Sequence, residues 1–391
     1  MFIGFLCSRA ALSVSMFLFG VNGIRDVNPR EWFRNKWWLI GVGWVALFAL
    51  SYFSSEDKGT WYVHFQQKYP FLILPLAFPY LPKFSVKQLQ AITIVVGSVL
   101  MVSACYSMSF LFFDPVANIS RYRVGGVLPT LPKLDHIRAS IAITLFVVWS
   151  VYVWPVFKDR FWKWVLGVMV GIFVIYIHIV AIKSGIVSLY LFLIAWGLYL
   201  SFAKKKLIGI IVIIAIPVFT MFGLKYMPTF REKAQYIDFT YFMFTHGDQS
   251  GNFGDINRLM SYKIALIIIA QHPLLGVGGG DMLSEMDKGF HNLYPDVRPE
   301  SVILPHNQFL DIGLSSGIPA MILFTVWIFM PLARMRRNRQ SFFFFVVWLI
   351  LFLQLMIEPV LEVQFGVFVY LYFLLMAKHE LPCKTENEKF S

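Results

Sequence analysis

A histidine in the last third of the chain has the neighbours expected of a proton-transfer site. His306 lies in the stretch PHNQFLDIGLSSG (305–317), followed directly by Asn307 and Gln308, with Asp311 five residues later. An imidazole titrates near neutral pH and can accept the proton of an attacking hydroxyl. A histidine that caps a helix at a membrane interface would have the same spacing, and spacing alone favours that structural role.

Three cations could meet an anionic ligand. Arg258 lies in the long segment 224–305, Lys183 occupies a very short turn between two apolar runs, and Arg138 opens another apolar run. An arginine can clamp a phosphate with two N–H groups, whereas a lysine supplies only a point charge. Arg258 could instead anchor a helix at the lipid headgroups, which sequence alone slightly favours. Lys183 could simply mark the interface.

Glycines and carboxylates supply further candidates. The run HPLLGVGGG at 272–280 contains Gly278, where backbone N–H groups could approach a phosphate. No strand precedes this run and no Lys-Ser or Lys-Thr follows it, so it is not a nucleotide P-loop, and a flexible turn is the alternative. Glu358 and Glu362, with Pro359 nearby, predict an external helix break. A proton relay there would need a partner that the sequence does not show.

Hydropathy identifies the elements that must position these residues. Of the 391 residues, 58% are hydrophobic and 14% charged, and the mean hydropathy is +0.65. A soluble domain carries about a quarter charged residues. Apolar runs long enough to cross a hydrocarbon core of about 30 Å recur along the chain. We predict an all-α integral membrane protein with about eleven transmembrane helices, forming one polytopic domain over residues 1–391.

The apolar runs and the lysines and arginines between them predict the topology. The third run is short and bounded by prolines, which indicates a broken or re-entrant helix. Cations collect in alternate loops and in the C-terminal tail, so the C-terminus is predicted to be cytoplasmic, the N-terminus external, and the loops 54–69, 112–137, 182–184 and 224–305 external. The predicted spans are 2–22, 37–53, 70–82, 88–111, 138–157, 162–181, 185–203, 207–223, 307–331, 341–357 and 364–377.

The large external loop 224–305 is predicted to carry part of the active site. Within it, 256–271 places Leu259, Tyr262 and Leu266 at helical spacing, the pattern of an amphipathic helix. This helix could lie on the membrane surface or pack on the bundle. The net charge of +12 collects in loops and does not indicate nucleic-acid binding. The three cysteines are far apart, and no metal-type spacing such as H-E-x-x-H occurs.

Together these segments resemble the O-antigen ligase and polymerase family. The family pattern is His, then Asn, Ser or Gln, nine residues, Gly, two residues, and Gly, Thr or Tyr. His306, Asn307 and Gly317 match this pattern, whereas Ala320 departs from its last position. The stretch around Arg258 and the following HPLLGVGGGD add to the likeness. The resemblance extends over nearly the whole chain, although most of it is hydropathy.

Two departures from the family affect what can be carried over. Members often have an arginine in a Ser-Arg-Gly turn, whereas this chain has Lys183, Ser184 and Gly185 there, with the cation one residue earlier. A lysine cannot form the bidentate fork of an arginine. Members also commonly have twelve spans with both ends cytoplasmic, and this sequence shows no counterpart of the first helix.

The resemblance implies a reaction, its substrates and their location. The donor would be a glycan on undecaprenyl pyrophosphate, and the acceptor a hydroxyl of lipid A–core for a ligase. An O-antigen or exopolysaccharide polymerase would use a second lipid-linked repeat unit. No metal or nucleotide cofactor is implied, because the lipid pyrophosphate is itself the leaving group. The site would face the periplasm from the bacterial inner membrane, in contact with membrane lipids.

The resemblance also implies roles for individual residues. His306 would be the general base, and Arg258 with Lys183 would bind the pyrophosphate. Arg138 is a further substrate-binding candidate, as are Asn307 and Gly278. We take the ligase as the first hypothesis and the polymerase as the alternative.

Two other classes of protein compete with a glycan transferase. A transporter of lipid-linked sugars would show internal repeats and ionisable groups near the middle of its spans. The sequence shows no convincing repeat, and its polar residues gather at one face. A structural membrane subunit would give the external histidine and arginine no function.

Overall fold

The computed structural model describes residues 1–25, 29–132, 135–202, 205–246, 254–295, 302–335 and 338–379. Some residues used to predict the topology and the cysteine pattern lie outside these ranges, namely Lys133, Lys204, Arg336, Arg337, Cys383, Lys384 and Lys389.

All regular secondary structure within the described ranges is helical. The α-helices are α1 (Phe2–Cys7), α2 (Arg9–Ile24), α3 (Pro29–Trp32), α4 (Lys36–Leu50), α5 (Lys58–Gln66), α6 (Tyr69–Ala77), α7 (Val86–Phe113), α8 (Pro115–Ser120), α9 (His136–Val153), α10 (Arg160–Val180), α11 (Lys183–Phe202), α12 (Lys206–Tyr226), α13 (Pro228–Thr245), α14 (Gly254–Gln271), α15 (Met282–Leu293), α16 (Gln308–Phe329), α17 (Arg339–Ile357) and α18 (Gln364–Lys378). Short 3-10 turns are Phe78–Tyr80, Arg121–Val124, Trp154–Val156, Met330–Arg334 and Val360–Glu362.

Seven described helices are long and apolar enough to cross a membrane, namely α7, α9, α10, α11, α12, α16 and α17. Each coincides with a predicted span. The helices α2, α4 and α18 are apolar but shorter. The chain is therefore a multi-pass membrane protein, as predicted, and seven of the eleven predicted spans have helices of full length.

The predicted single span over 2–22 is wrong. Ser8 has an extended backbone (φ −161°, ψ 128°) that separates α1 from α2. The chain folds back there, since a Cβ on Gly4 would lie 2.8 Å from the backbone nitrogen of Leu12. The signal for this turn is Ser8 itself, whose hydroxyl accepts from the N–H of Ala11 as an N-cap.

The proline-bounded segment 70–82 is short, as predicted. The helix α6 has nine residues with Pro75 inside it, and it passes into the 3-10 turn Phe78–Tyr80. Nine residues rise only about 14 Å, so α6 alone cannot cross a hydrocarbon core. It packs against α2 and α4 instead.

Aromatic residues hold the middle of the bundle together. The rings of Trp37 on α4 and Trp327 on α16 stack with centroids 5.1 Å apart. The indole N–H of Trp37 also donates to the carbonyl of Trp327 at 2.8 Å. Most of α18 is buried against α9, α17 and α6. These contacts fix the helices whose ends carry the polar residues.

Loops predicted to share one side of the membrane contact one another. The Asp281 carboxylate accepts from the backbone N–H groups of Glu56 and Asp57 at 2.5 and 3.0 Å. Arg123 pairs with Glu232 at 3.0 Å. At the other ends of the helices, Arg339 donates to the carbonyl of Tyr152 at 2.8 Å. The two predicted sets of loops therefore lie at opposite ends, and which end faces the cytoplasm stays a prediction.

The predicted amphipathic helix is present, but its buried stripe differs from the predicted one. The helix α14 buries Ile256, Met260 and Ile264 against α15 and α16, whereas Leu259 and Leu266 are more than half exposed. It packs on the bundle, the second of the two predicted alternatives. Apolar residues occupy both faces of α14, so periodicity alone could not select the buried one.

Two further helices of the loop, α13 and α15, were not individually predicted. Met282, Met286 and Phe290 form the buried stripe of α15 at i, i+4 and i+8, a signal that was present in the sequence. In α13, charged and aromatic residues alternate without a clear apolar stripe, so the sequence pattern did not indicate a helix there. The helix α13 packs on α12 and on the turn Arg121–Val124.

Candidate functional site

The carboxylate of Glu358 is the meeting point of several helices. The helix α17 ends at Ile357, and Pro359 cannot continue it, so Glu358 turns into the protein with only 8% of its side chain exposed. Its Oε2 lies 2.7 Å from His306 Nδ1 and 3.6 Å from Arg258 Nη2. Its Oε1 lies 3.5 Å from Arg138 Nη1. Glu358 thus joins His306, Arg258 and Arg138, three of the predicted site residues.

Asn307 explains why His306 stands beside this carboxylate. Its Oδ1 accepts from the backbone N–H groups of Phe309 and Leu310 at 2.9 and 3.2 Å, which makes Asn307 the N-cap of α16. Its Nδ2 donates to the carbonyl of Met356 at 3.0 Å, which ties the start of α16 to the end of α17. The helix cap is therefore Asn307 and not the histidine. Substrate contact by Asn307 stays a prediction.

Tyr262 connects the external helix α14 to the same point. Its hydroxyl donates to the carbonyl of His306 at 2.6 Å. Burial raises the pKa of Tyr262, so the phenol keeps its proton and remains a donor. The face of α14 that carries Arg258 and Tyr262 is thereby held against the start of α16.

The imidazole of His306 is arranged to accept a proton. Because the Glu358 carboxylate only accepts hydrogen bonds, Nδ1 carries the imidazole proton and Nε2 is left as the acceptor. Within the described part of the chain Nε2 has no hydrogen-bond partner, and 26% of the side chain is exposed. A base whose second nitrogen is oriented by a carboxylate is the arrangement that activates hydroxyl nucleophiles.

The charge of Glu358 is maintained by its neighbours. Burial alone would raise the pKa of Glu358, but the hydrogen bond from His306 and the positive charges of Arg138 and Arg258 outweigh burial and lower this pKa. An ionised carboxylate therefore faces His306 at neutral pH.

Arg138 braces the site from α9. It lies 3.3 Å from the Asp135 carboxylate, and its Nη2 donates to the carbonyl of Pro359 at 3.3 Å. Its buried Nε has no hydrogen-bond partner within the described residues. The contacts of the guanidinium with Glu358, Asp135 and Pro359 tie α9 to the helix break, and substrate contact by Arg138 stays a prediction.

Several cations lie near Glu358 and His136. Arg258 keeps about a third of its side chain exposed, in contrast to the buried Arg138. The charges of Lys233, Arg138 and Arg258 all act on His136, the first residue of α9. Lys233, on α13, was not predicted because its helix was not recognised. Such a cluster of cations attracts a polyanion such as a pyrophosphate.

The turn that contains Lys183 lies against the helices that carry the site. The hydroxyl of Ser184 is 3.3 Å from that of Ser140, two residues after Arg138. The amide of Gln354, one turn before Glu358, donates to the carbonyl of Ser184 at 3.4 Å. Contact of Lys183 with a substrate stays a prediction.

The glycine run packs on protein instead of forming an open loop. Gly278 has φ +96°, and a Cβ there would lie 2.4 Å from the hydroxyl oxygen of Ser55. The N–H groups of Gly279 and Gly280 donate to the hydroxyls of Ser51 and Ser55 at 3.3 and 3.1 Å. These hydrogen bonds attach the glycine run to the loop between α4 and α5. Substrate contact by Gly278 stays a prediction.

Comparison with known proteins identifies a family for part of the chain. Residues 179–325 match the family model described as O-Antigen ligase. They form an O-antigen ligase family domain. The resemblance inferred from the histidine motif and the Arg258 segment is thereby confirmed. Enzymes of this family are glycan ligases and polymerases. No curated protein matched the chain.

The O-antigen ligase domain contains Lys183, Arg258 and His306, whereas Arg138 and Glu358 lie outside the matched residues. The carboxylate that orients the histidine therefore comes from the part of the chain that follows the domain. The sequence indicated a helix break at Glu358 and left open a proton relay without a partner, because the partners of Glu358 are far away along the chain. The sequence signal was a pair of acids flanking a proline between apolar runs.

Gly317 of the domain breaks α16 and makes room for the external loop. It has φ +81°, a conformation that favours glycine. The N–H of Ile318 donates to the carbonyl of Pro273, and the N–H of Val277 donates to the carbonyl of Leu314, both at 2.8 Å. The segment 273–277 thus completes the hydrogen bonding of the broken helix.

A second buried carboxylate, Glu362, supports the same helix break. It forms a close ion pair with Lys68, accepts from Gln308 Nε2 at 2.7 Å and lies 3.4 Å from His64. Burial alone would raise the pKa of Glu362, but the charge of Lys68 and the His64 contact hold this pKa well below its usual range. In turn, the N–H of Leu361 donates to Gln308 Oε1 at 2.7 Å. Among the described residues, no group of three or more His, Cys, Asp or Glu side chains is placed to hold a metal ion.

Proposed function

We propose that the protein is an O-antigen ligase that transfers a glycan from undecaprenyl pyrophosphate to a hydroxyl of lipid A–core. The observation that carries this proposal is the His306–Glu358 pair, 2.7 Å apart and beside Arg258. His306 and Arg258 both belong to the O-antigen ligase family domain. A base and an adjacent cation are what a hydroxyl attack on a pyrophosphate-linked sugar requires.

In the proposed step, Nε2 of His306 accepts the proton of the acceptor hydroxyl as its oxygen attacks the anomeric carbon of the donor sugar. A new glycosidic C–O bond forms, and the bond from that carbon to the pyrophosphate oxygen breaks. The lipid pyrophosphate leaves with the electron pair. Glu358 stabilises the imidazolium that forms, because its carboxylate faces Nδ1.

Arg258 is proposed to stabilise the departing pyrophosphate, whose negative charge grows as the bond breaks. Its partly exposed guanidinium is the accessible cation beside the buried carboxylate. Lys183 is proposed as a second cation, supported by the packing of its turn on α9 and α17. Arg138 acts indirectly by holding Glu358. No metal is needed in this scheme, since the leaving group is already activated.

We further propose that the site faces the periplasm from the inner membrane of a bacterium and that the C-terminus is cytoplasmic. The distribution of lysine and arginine supports this orientation. Both substrates would then be anchored in the outer leaflet.

Replacement of His306 by alanine is expected to abolish ligation while the protein remains in the membrane. Loss of a general base lowers a rate by about 10²- to 10⁴-fold. The measurement is a gel of lipopolysaccharide from a deletion strain that carries wild type, His306→Ala or the control His291→Ala. His291 is exposed on α15, and its polar contact among the described residues is with the neighbouring Asp287, so its loss should leave the ladder intact.

The same gel separates the ligase from the polymerase. A ligase deletion leaves lipid A–core without glycan while lipid-linked polymer accumulates, whereas a polymerase deletion leaves core with one repeat unit. A normal ladder from His306→Ala would refute the assignment of the base.

A further inference from the structure

A cavity of about 490 Å³ lies between α2, α5 and α6, on the flank of the bundle. Polar groups from Arg9, Gln66, Gln67 and Gln364 line it together with apolar side chains, and Arg9 alone is charged among the described lining residues. A cavity of this size accommodates a small headgroup or part of a lipid.

The cavity is amphipathic along its length. Arg9 stands at the start of α2, and the apolar residues Val14 and Phe17 follow one and two turns later. Both are more than half exposed, so the apolar part opens to the side. On the opposite wall, Tyr69 begins α6 and Ile73 lies one turn further. Polar groups therefore mark one end of the cavity and apolar groups the other, as a lipid headgroup and chain would require.

At the apolar end of the cavity, two glycines of α2 allow this helix to approach α6 closely. A Cβ on Gly20 would lie 1.9 Å from Ile73 Cγ2, and one on Gly23 would lie 2.7 Å from the Cβ of Ala77. The helices α2 and α6 thus pack closely beyond the apolar end of the cavity. The result is a cleft that is open laterally and limited in depth.

The polar end adjoins the candidate active site. The charge of Arg9 acts on Asp135, and Asp135 pairs with Arg138, which contacts Glu358. Gln364 lies two residues after Glu362, at the helix break that carries both carboxylates. A headgroup in this cleft would therefore be next to the residues that hold His306.

We propose that the α2/α6 cleft binds the lipid anchor of the acceptor, with a headgroup phosphate at Arg9 and the adjoining chain along Val14 and Phe17. This inference rests on the proposed function, in which two lipid-anchored substrates must meet while Arg258 serves the donor pyrophosphate. Phosphate is the matching headgroup because an arginine donates two parallel hydrogen bonds to it. The glutamine amides supply further donors.

Lipid binding by the full-length protein in detergent tests the cleft without requiring transfer. The probe is dioleoyl phosphatidic acid, titrated in native mass spectrometry, with dioleoylglycerol as the lipid that lacks the phosphate. Arg9→Gln and Ala10→Trp, which fills the cleft, should each weaken phosphatidic acid binding about tenfold. The control Arg121→Gln, on the exposed turn after α8, and His306→Ala should bind as wild type does. Equal binding by all variants, or equal binding of dioleoylglycerol by the wild type, would overturn the proposal.

A transfer assay with purified substrates then identifies which lipid uses the cleft. Arg9→Gln should raise the acceptor KM about tenfold while the donor KM stays unchanged. A raised donor KM would overturn the acceptor assignment. If the wild type transfers no glycan while phosphatidic acid binding still depends on Arg9, the lipid site stands and the proposed function fails.

Discussion

At the scale of single residues, Glu358 determines what His306 can do. Three sequence-distant side chains converge on one buried carboxylate, and its lowered pKa keeps it ionised throughout the neutral range. A carboxylate can only accept hydrogen bonds, so it places the imidazole proton on Nδ1. The carboxylate therefore orients the imidazole and selects its tautomer.

Glu358→Gln is expected to lower kcat by about ten- to a hundredfold, within the range that an oriented base contributes. A glutamine amide has nearly the shape of the carboxylate but carries no charge to stabilise the imidazolium that forms during transfer. Transfer rates measured at neutral pH check this effect. Glu285→Gln, on the exposed pair with Lys288, is the matched control. An unchanged kcat would mean that the Glu358 carboxylate does not assist His306.

The sequence identified the histidine and both arginines but not the group that unites them. His306, Arg258 and Arg138 have types and positions that point to chemistry. The partnership with Glu358 depends on residues 52 to 220 positions apart, and no local pattern encodes such distances. Lys233 was not predicted for a different reason. It lies on α13, and the mixed polarity of that segment gave no helical pattern in the sequence.

At the scale of helices, the break in α16 explains why the motif places a glycine eleven residues after the histidine. A side chain at Gly317 would require a strained backbone, and its Cβ would lie 2.4 Å from the carbonyl oxygen of Leu274. The external loop depends on this gap for two of its backbone hydrogen bonds.

Gly317→Ala is expected to destabilise the protein by about 1–3 kcal/mol through backbone strain, and the clash adds to this loss. The measurement is thermal unfolding of the detergent-solubilised protein, followed by tryptophan fluorescence. Gly171→Ala is the control, because Gly171 lies in α10 and, in the described part of the chain, no atom beyond the adjacent backbone of α10 lies within 4 Å of its would-be Cβ. That control should be neutral or slightly stabilising. Equal behaviour of the two variants would show that the break tolerates a side chain.

The Lys68–Glu362 pair is expected to hold the α17–α18 break in place. Lys68→Met leaves a buried carboxylate without its cation, which costs about 3–5 kcal/mol in comparable pairs. Lys68→Met combined with Glu362→Gln should recover much of that loss, since no unpaired charge remains. Unfolding of both single variants and the double variant forms a thermodynamic cycle. The exposed Lys87→Met should change stability by less than about 0.5 kcal/mol. Additive effects in the cycle would contradict a direct coupling.

At the scale of the whole molecule, length and hydropathy predicted the long spans, because each is set by the thickness of a membrane. They could not show that the chain reverses at Ser8, since one apolar run continues through the turn. They also could not show which face of α14 is buried. Both features depend on tertiary partners and not on local periodicity.

The orientation of the bundle can be tested with single cysteines in a variant without Cys7, Cys105 and Cys383. Val124→Cys, at a position that is 79% exposed, should react with a membrane-impermeant maleimide in spheroplasts. Lys158→Cys, exposed at the opposite end of α9, should react only after permeabilisation. The expectation follows from the excess of lysine and arginine in the loops at the end of the bundle that carries Lys158, which is predicted to face the cytoplasm. The reverse labelling pattern would place the candidate site in the cytoplasm.

The completed break in α16 also has a consequence for biogenesis. The segment 273–277 is synthesised before α16, so the acceptor for the Ile318 N–H exists when this helix emerges from the ribosome. A backbone N–H that finds no partner in apolar surroundings costs several kcal/mol, so we expect α16 to mature only against the docked loop. Glu358 is synthesised later still. The His306–Glu358 contact therefore forms only after the external loop and the segment from α16 to the end of α17 have been synthesised.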